Sequence, residues 1–335
     1  MLHWEDLGTS NARRVIDRYR DHYLTFNDDM QGTGAVTLAV VFSAVRSSGV
    51  PLSEQRIVVF GSGTAGIGIA DQLRDAMVAD GSDFDAATRQ VWCVGRHGLL
   101  TDDRTDLRTF QAPYARPAAE VTNWTADETG GYSLEEVVRQ VKPTILIGTS
   151  GVPGAFNETI VRLMAANVGR PIILPMSNPT TLAEATPADI LRWTDGLALV
   201  ATGSPFPDVE YNGTTYYISQ ANNAHIFPGL GLGIKVAGAT RCTDGLLRAA
   251  AKAVAGLVDH DVPGGRLLPR VMNLRQTSLV VAVAVARQAA AEGINRREVG
   301  ADIVDRVREA MWQPTYYPVR PIGPGAAQTA RGIDT

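Results

Sequence analysis

The sequence predicts an α/β fold, a doubly wound and mostly parallel sheet with flanking N- and C-terminal helices. Three observations carry that expectation. Apolar runs rich in β-branched residues alternate with stretches of helical spacing. Each run gives way to Gly, Ser or Thr. The first of the runs stops at a glycine cluster that opens directly into a helical pattern.

In chain order, residues 10–24 and 33–48 read as helices, the second burying Val36, Val40, Val41 and Val45. The run RIVVF at 56–60 is the first strand, and helical spacing follows the glycine cluster to about Asp80. Further strands are expected at 90–94, 144–148, 172–176 and 197–201, with helical stretches such as 156–168 between them. Strands alternating with helices imply βαβ units and a sheet covered on both faces. Ala/Val/Leu-rich helices at about 233–258, 276–292 and 296–311 are expected to pack together on one side of the sheet. The last stretch, 313–335, is rich in Pro, Gly and Arg and reads as a surface arm or disordered tail. The expected division is therefore an N-terminal helical segment (1–50), a dinucleotide-binding domain (51–232), C-terminal helices (233–312) and a tail (313–335).

Composition bounds the function. The chain has 335 residues, 45% hydrophobic and 20% charged, enough to bury a sizeable core. Lys+Arg number 31 against Asp+Glu 35, a net charge of -4, so there is no cationic footprint for nucleic acid or anionic lipid. Cys93 and Cys242 stand apart without metal-ligand spacing, which argues against a disulfide scaffold and for a reducing, cytoplasmic setting. The opening Met-Leu-His-Trp-Glu-Asp lacks the basic and apolar regions of a signal peptide, so secretion is not expected. The longest apolar run, Leu279 to Ala286, is far short of the ~20 residues that span a bilayer.

Gly61-Ser62-Gly63-Thr64-Ala65-Gly66 satisfies the Gly-x-Gly-x-x-Gly pattern in strand–turn–helix context, the signature of a Rossmann-type dinucleotide site. The first glycine permits the tight turn, the second lets a pyrophosphate approach the backbone, and the third lets helix and strand pack closely. The pyrophosphate would rest on the free N–H groups of a helix starting near Ala65. An acid is expected at the end of the next strand, to bind the ribose 2′-hydroxyl. Gly95 stands there instead, followed by Arg96, which either pairs a 2′-phosphate, pointing to NADP, or is a solvated surface cation.

Near the front, Glu5-Asp6 and Asn27-Asp28-Asp29 lie on either side of a helix. Read by spacing alone they are solvated acids and a helix cap. If the chain folds back to join Glu5, Asp6 and Asp29, three hard oxygen donors suit Mg2+ or Mn2+.

With these motifs in order, the sequence resembles the malic enzymes, specifically the C-terminal portion of the large-subunit type, over nearly all of residues 1–320. The resemblance rests on WED at 4–6, FNDDMQGT at 26–33, the glycine turn, SNPT at 177–180, TGSPF at 202–206, QANNAHIFPG at 220–229 and the WQPTYYP ending. It implies oxidative decarboxylation of (S)-malate to pyruvate and CO2, with NAD or NADP reduced and a divalent metal bound. Glu5, Asp6 and Asp29 match the metal ligands, and Asp28 an acid beside them that orders the site. Asn178 and Asn223 match amides that bind substrate and the nicotinamide side of the cofactor, with Asn222 their close neighbour. Amides orient a carboxylate or carboxamide without adding a titrating group.

The sequence also departs from the family. Members carry an N-terminal half that supplies a lysine general base, a tyrosine acid and a substrate-clamping arginine, and nothing in this chain matches it. Positioned acid–base groups typically contribute ~10²–10⁴-fold each, so turnover by this chain alone is expected to be crippled. The expectations are a half that works with a partner chain or as a homo-oligomer, a shortened homologue with other chemistry, or an inactive NAD(P)-binding module. Within the chain, the candidate substitute bases are His225, beside the amide pair and otherwise a structural loop residue, and Lys235, starting the following helix, while Lys142 reads as a surface cation. Tyr216 and Tyr217, in a strand-like run, read as packing residues.

Overall fold

In the computed structural model, which describes residues 1–316, the apolar runs pair into one seven-stranded sheet. Ahead of it come β1 (Leu2–Trp4), α1 (Thr9–Tyr19), β2 (Thr25–Asn27), one π-helical turn (Asp28–Gly32) and α2 (Thr33–Ser48). Strand β3 (Ile57–Phe60) leads into α3 (Thr64–Ala79), α4 (Phe84–Arg89), β4 (Val91–Gly95) and β5 (Gly98–Leu99). Next are α5 (Leu134–Val141), β6 (Ile145–Gly148), α6 (Glu158–Asn167), β7 (Ile172–Pro175), α7 (Pro187–Trp193) and β8 (Leu199–Thr202). A small hairpin of β9 (Val209–Tyr211) and β10 (Thr214–Tyr216) precedes β11 (Ser219–Gln220). Four helices close the fold: α8 (Phe227–Ala237), α9 (Asp244–Ala255), α10 (Leu274–Ala291) and α11 (Ile303–Ala310).

The strand order is β11-β8-β7-β6-β3-β4-β5, parallel throughout except for β5, which runs antiparallel to β4. From β3 the chain first moves one way, to β4 and β5, then crosses to β6 on the other side. The switch point therefore lies between β3 and β6, where α/β sheets open a crevice beyond the strand ends.

Side chains alternate across each strand, so the sheet sorts its apolar residues into two layers. Ile57, Val59, Ile145, Ile147, Ile172 and Leu174 face a core shared with α2, α3, α8, α9 and α10. Val58, Leu146, Ile173 and Val200 face α5, α6 and α7. The terminal helices thus gather on one face. Helix α2 is buried continuously from Gly34 to Ala44, which is why it is apolar all round.

Several helix boundaries differ from expectation. The 10–24 helix ends at Tyr19, because the chain must straighten to deliver Leu24 and Thr25 beside β1. The 233–258 helix is two helices and begins earlier, at Phe227 with Pro228 in its first turn. Gly238, left-handed at φ 65°, ends α8, and the Thr243 side chain caps α9. Lys235 accordingly sits in the last turn of α8 instead of starting it. The 296–311 helix keeps only Ile303–Ala310, with Gly300 ahead of its start. Of the expected tail, 317–335 lies outside the described residues. Among the described residues no helix is long and apolar enough to cross a membrane.

Candidate functional site

The acids at the front meet because β1 and β2 pair in parallel, Leu2 against Thr25, His3 against Phe26 and Trp4 against Asn27. Both strands end at the same level, so Glu5 and Asp6 emerge next to Asp28 and Asp29. Oxygen atoms of Glu5, Asp6 and Asp29 lie within 4.8 Å of one another, and His3, Glu5 and Asp28 form an overlapping group on the same criterion. The Asp6 backbone N–H donates to Asp29 Oδ2 at 2.9 Å, with Asp6 at φ 52°.

Asp28 is the buried member, 6% exposed. The Asn27 side chain caps the π turn by accepting from the Met30 N–H at 2.9 Å. That turn projects Asp28 toward Asn223, whose Nδ2 donates to Asp28 Oδ2 at 3.0 Å, to Asp28 O at 3.2 Å and to Thr33 Oγ1 at 3.2 Å. The other oxygen, Asp28 Oδ1, is buried without a donor. It lies over Gly32, where a Cβ would come within 2.2 Å of it. Burial raises the Asp28 carboxyl above its ordinary value despite the Asn223 hydrogen bond. Glu5 is also raised, by desolvation and then by the charges of Asp28 and Asp29. Carboxylates that repel one another around an undonated oxygen form a hard donor set suited to a divalent cation.

Residues 61–66 form the glycine turn at the switch point. A Cβ on Gly66 would meet Gly61 O at 1.9 Å, and one on Gly61 would meet the Thr149 backbone at 2.5 Å, so both positions need glycine. Thr149 Oγ1 donates to Gly61 O at 2.8 Å and ties the turn to the end of β6. At Gly63 an added Cβ would meet nothing within 4 Å, leaving the approach to the N-terminus of α3 open. Ser62 is turned inward, with its backbone oxygen accepting from Gln111 Nε2 at 2.7 Å. A Cβ at Gly95 would lie 2.6 Å from Ser62 Oγ, so an acid there would need the Ser62 hydroxyl to turn away. Arg96 is exposed at the tip of the tight β4–β5 hairpin and pairs with no carboxylate among the described residues.

Asn178 lies exposed in the loop after β7, where its Oδ1 accepts from the Ser204 hydroxyl. Asn222 Oδ1 caps the next turn by accepting from the Ala224 N–H at 2.9 Å, and Asn223 is engaged with Asp28. Two groups therefore form: Glu5, Asp6, Asp28, Asp29 and Asn223 around the π turn, and the glycine turn with Thr149 at the switch point. Helix α3 joins them, since Gln72 Nε2 donates to Gln31 O at 3.0 Å. His225 is 1% exposed, with Nδ1 2.9 Å from Asn222 O and Nε2 2.9 Å from Pro269 O. Both nitrogens are occupied by backbone, which makes it a structural residue. Lys142 and Lys235 are exposed.

Two residues escaped the sequence reading. His3 Nε2 lies 3.6 Å from Glu5 Oε2, and its ring packs edge-on against Phe26. A lone histidine in a three-residue strand gives no signal of that. Glu184 is 0% exposed at the ends of β6 and β7; its only sequence clue is an acid inside the apolar run Leu182–Ala185.

The family described as Malic enzyme, NAD binding domain matches residues 30–290. NAD-dependent malic enzyme 3 of Bacillus subtilis is 56% identical over 96% of this chain and 57% of its own length. The malolactic enzyme of Leuconostoc mesenteroides is 45% identical over 94% of this chain and 57% of its own. The chain thus spans a little over half the length of these curated relatives. The crystal structure of a malic enzyme from Pyrococcus horikoshii shares the fold, with a TM-score of 0.73 at 24% identity over 92% of this chain and 65% of that one.

Proposed function

Since the chain belongs to the malic enzyme family, we propose that it serves the oxidative decarboxylation of (S)-malate to pyruvate and CO2, with NAD as hydride acceptor and Mg2+ or Mn2+ at the acid cluster. The observation that carries this reading is the β1–β2 pairing that gathers Glu5, Asp6 and Asp29 within 4.8 Å. These three would hold the cation. When bound, it supplies Lewis-acid polarisation of a hydroxyl or carbonyl oxygen and offsets developing negative charge. Asp28 lends the cluster a further acid, which Asn223 holds in place. Asn178 binds the substrate carboxylate, Asn178 and Asn222 the nicotinamide side, and Asn223, whose Nδ2 is given to Asp28 and Thr33, serves the substrate through Asp28. The N–H groups of Ser62 to Gly66, at the N-terminus of α3, cradle the pyrophosphate across the open face of Gly63. Arg96, unpaired among the described residues, makes NADP the comparison cofactor. A reducing, cytoplasmic setting agrees with two buried free thiols.

A second reading is a dinucleotide-binding portion or partner subunit that turns over only with another chain. It is favoured by His225 being occupied by backbone and by the absence of any lysine ion-paired to the acid cluster among the described residues. Incubating the purified chain with malate, Mn2+ and NAD+ or NADP+, while following the reduced dinucleotide and assaying pyruvate against lactate, separates the two. Metal-dependent turnover that disappears in the Glu5→Ala, Asp6→Ala variant supports the enzyme. Calorimetric dinucleotide binding without turnover supports the second reading.

A further inference from the structure

Glu184 is a fully buried carboxylate on which every donor belongs to a serine. Its Oε1 receives the Ser150 N–H at 2.8 Å, the Ser150 hydroxyl at 2.8 Å and the Ser177 hydroxyl at 2.5 Å, while Oε2 faces the Ser177 N–H at 3.4 Å. The hydroxyl directions are set from behind. Ser150 Oγ accepts from the Val152 N–H at 3.1 Å, and Ser177 Oγ accepts from the Gly151 N–H at 2.9 Å, which leaves each hydroxyl proton free to point at Glu184. The Ser150 N–H leaves Oε1 in the role of acceptor. No cation pairs with it among the described residues. Gly148 ends β6 directly against this carboxyl: a Cβ there would lie 2.4 Å from the Glu184 carboxyl carbon. The anion therefore sits beneath the loops after β6 and β7, beside the switch point.

We propose that Glu184 is a charge-setting and positioning residue that biases the site toward the oxidised, positively charged nicotinamide over the neutral reduced one. The inference rests on the dinucleotide reading above. A dinucleotide whose pyrophosphate lies on the glycine turn extends its second half over the β6 and β7 loops. A buried anion acts through a low effective dielectric and discriminates a charged ring from a neutral one. The same carboxylate aligns Ser177, and with it Asn178.

The test is equilibrium binding of NAD+, NADH and ADP-ribose by calorimetry to the wild-type chain and to Glu184→Gln and Glu184→Asp, with thermal melts to confirm folding. Glu184→Gln is expected to shift the NAD+/NADH affinity ratio about threefold to tenfold against NAD+. ADP-ribose affinity should hold, and Glu184→Asp should restore most of the preference. If Glu184→Gln does not fold, the Ser150→Ala, Ser177→Ala variant replaces it. Without its hydroxyl donors the carboxylate loses its support as an anion, and the ratio should move the same way. An unchanged ratio in a folded variant that still binds ADP-ribose overturns the inference alone. Failure of the wild type to bind any of the three ligands overturns the dinucleotide reading and this inference with it.

Discussion

Asp28 is held by three constraints at once: a capped π turn that projects it, an amide from Asn223 that fixes one oxygen, and a bare Gly32 that makes room for the other. Gly32→Ala puts a methyl 2.2 Å from Asp28 Oδ1, so the carboxylate must move. The expected outcome is about 1–3 kcal/mol of lost stability, as for an overpacked core, together with weakened Mn2+ binding in a calorimetric titration. The acids also predict a pH dependence. Asp28 and Glu5 have raised folded-state values, so between the ordinary carboxylate range and those values the folded chain holds more protons than the unfolded one. Stability of the metal-free protein therefore falls as pH rises through that window. Asp28→Asn should melt above wild type at neutral pH without metal, with a gap that closes in acid. Saturating Mn2+ should reverse the order. Metal-free melts showing no such gap would mean that the cluster carries no repulsion. At this scale the family resemblance singled out Glu5, Asp6 and Asp29, since by spacing alone acids on both sides of a short helix read as solvated. His3 and Glu184 stayed hidden, since their meaning comes from neighbours brought in by pairing and by loop closure.

Among the elements, the glycine turn and β6 act as one unit through Thr149. Gly66→Ala collides with Gly61 O at 1.9 Å and should abolish dinucleotide binding in a fluorescence titration while lowering the melting temperature. Thr149→Val removes only the 2.8 Å hydrogen bond to Gly61 O, at a cost of about 1 kcal/mol. If Gly66→Ala binds dinucleotide like wild type, the turn is not the pyrophosphate cradle. The two-residue strands β5 and β11 were not legible, whereas β3, β4, β6, β7 and β8 were, to within a residue or two, because continuous apolar runs bounded by Gly, Ser or Thr have few other readings. Helix ends were less so. The 233–258 pattern is continuous in hydrophobicity, and only the left-handed Gly238 and the Thr243 cap divide it. Strands β1 and β2 have three residues each, too few for alternation to register, although they assemble the acid cluster.

On the scale of the whole molecule, the N-terminal segment is no appendage. Helix α2 packs against both α3 and α9, and Leu38 within it is 1% exposed. Leu38→Ala should cost about 2–5 kcal/mol and lower one shared unfolding transition, seen at the same temperature by far-ultraviolet dichroism and by calorimetry. Two separated transitions would show that the segment folds apart from the sheet. Cys93 and Cys242 offer an independent probe, both fully buried, with burial pushing the Cys242 thiol up to about 12. Neither should react with a thiol reagent before global unfolding. The Asn223–Asp28 hydrogen bond has a last implication. Its partners stand 195 positions apart, with the acid made first and the amide long after it. At ordinary rates of synthesis the ribosome needs about 10–40 s to travel that distance. For that interval the nascent chain carries its acids without the amide that orders them, and the site cannot close until the chain past Asn223 has emerged.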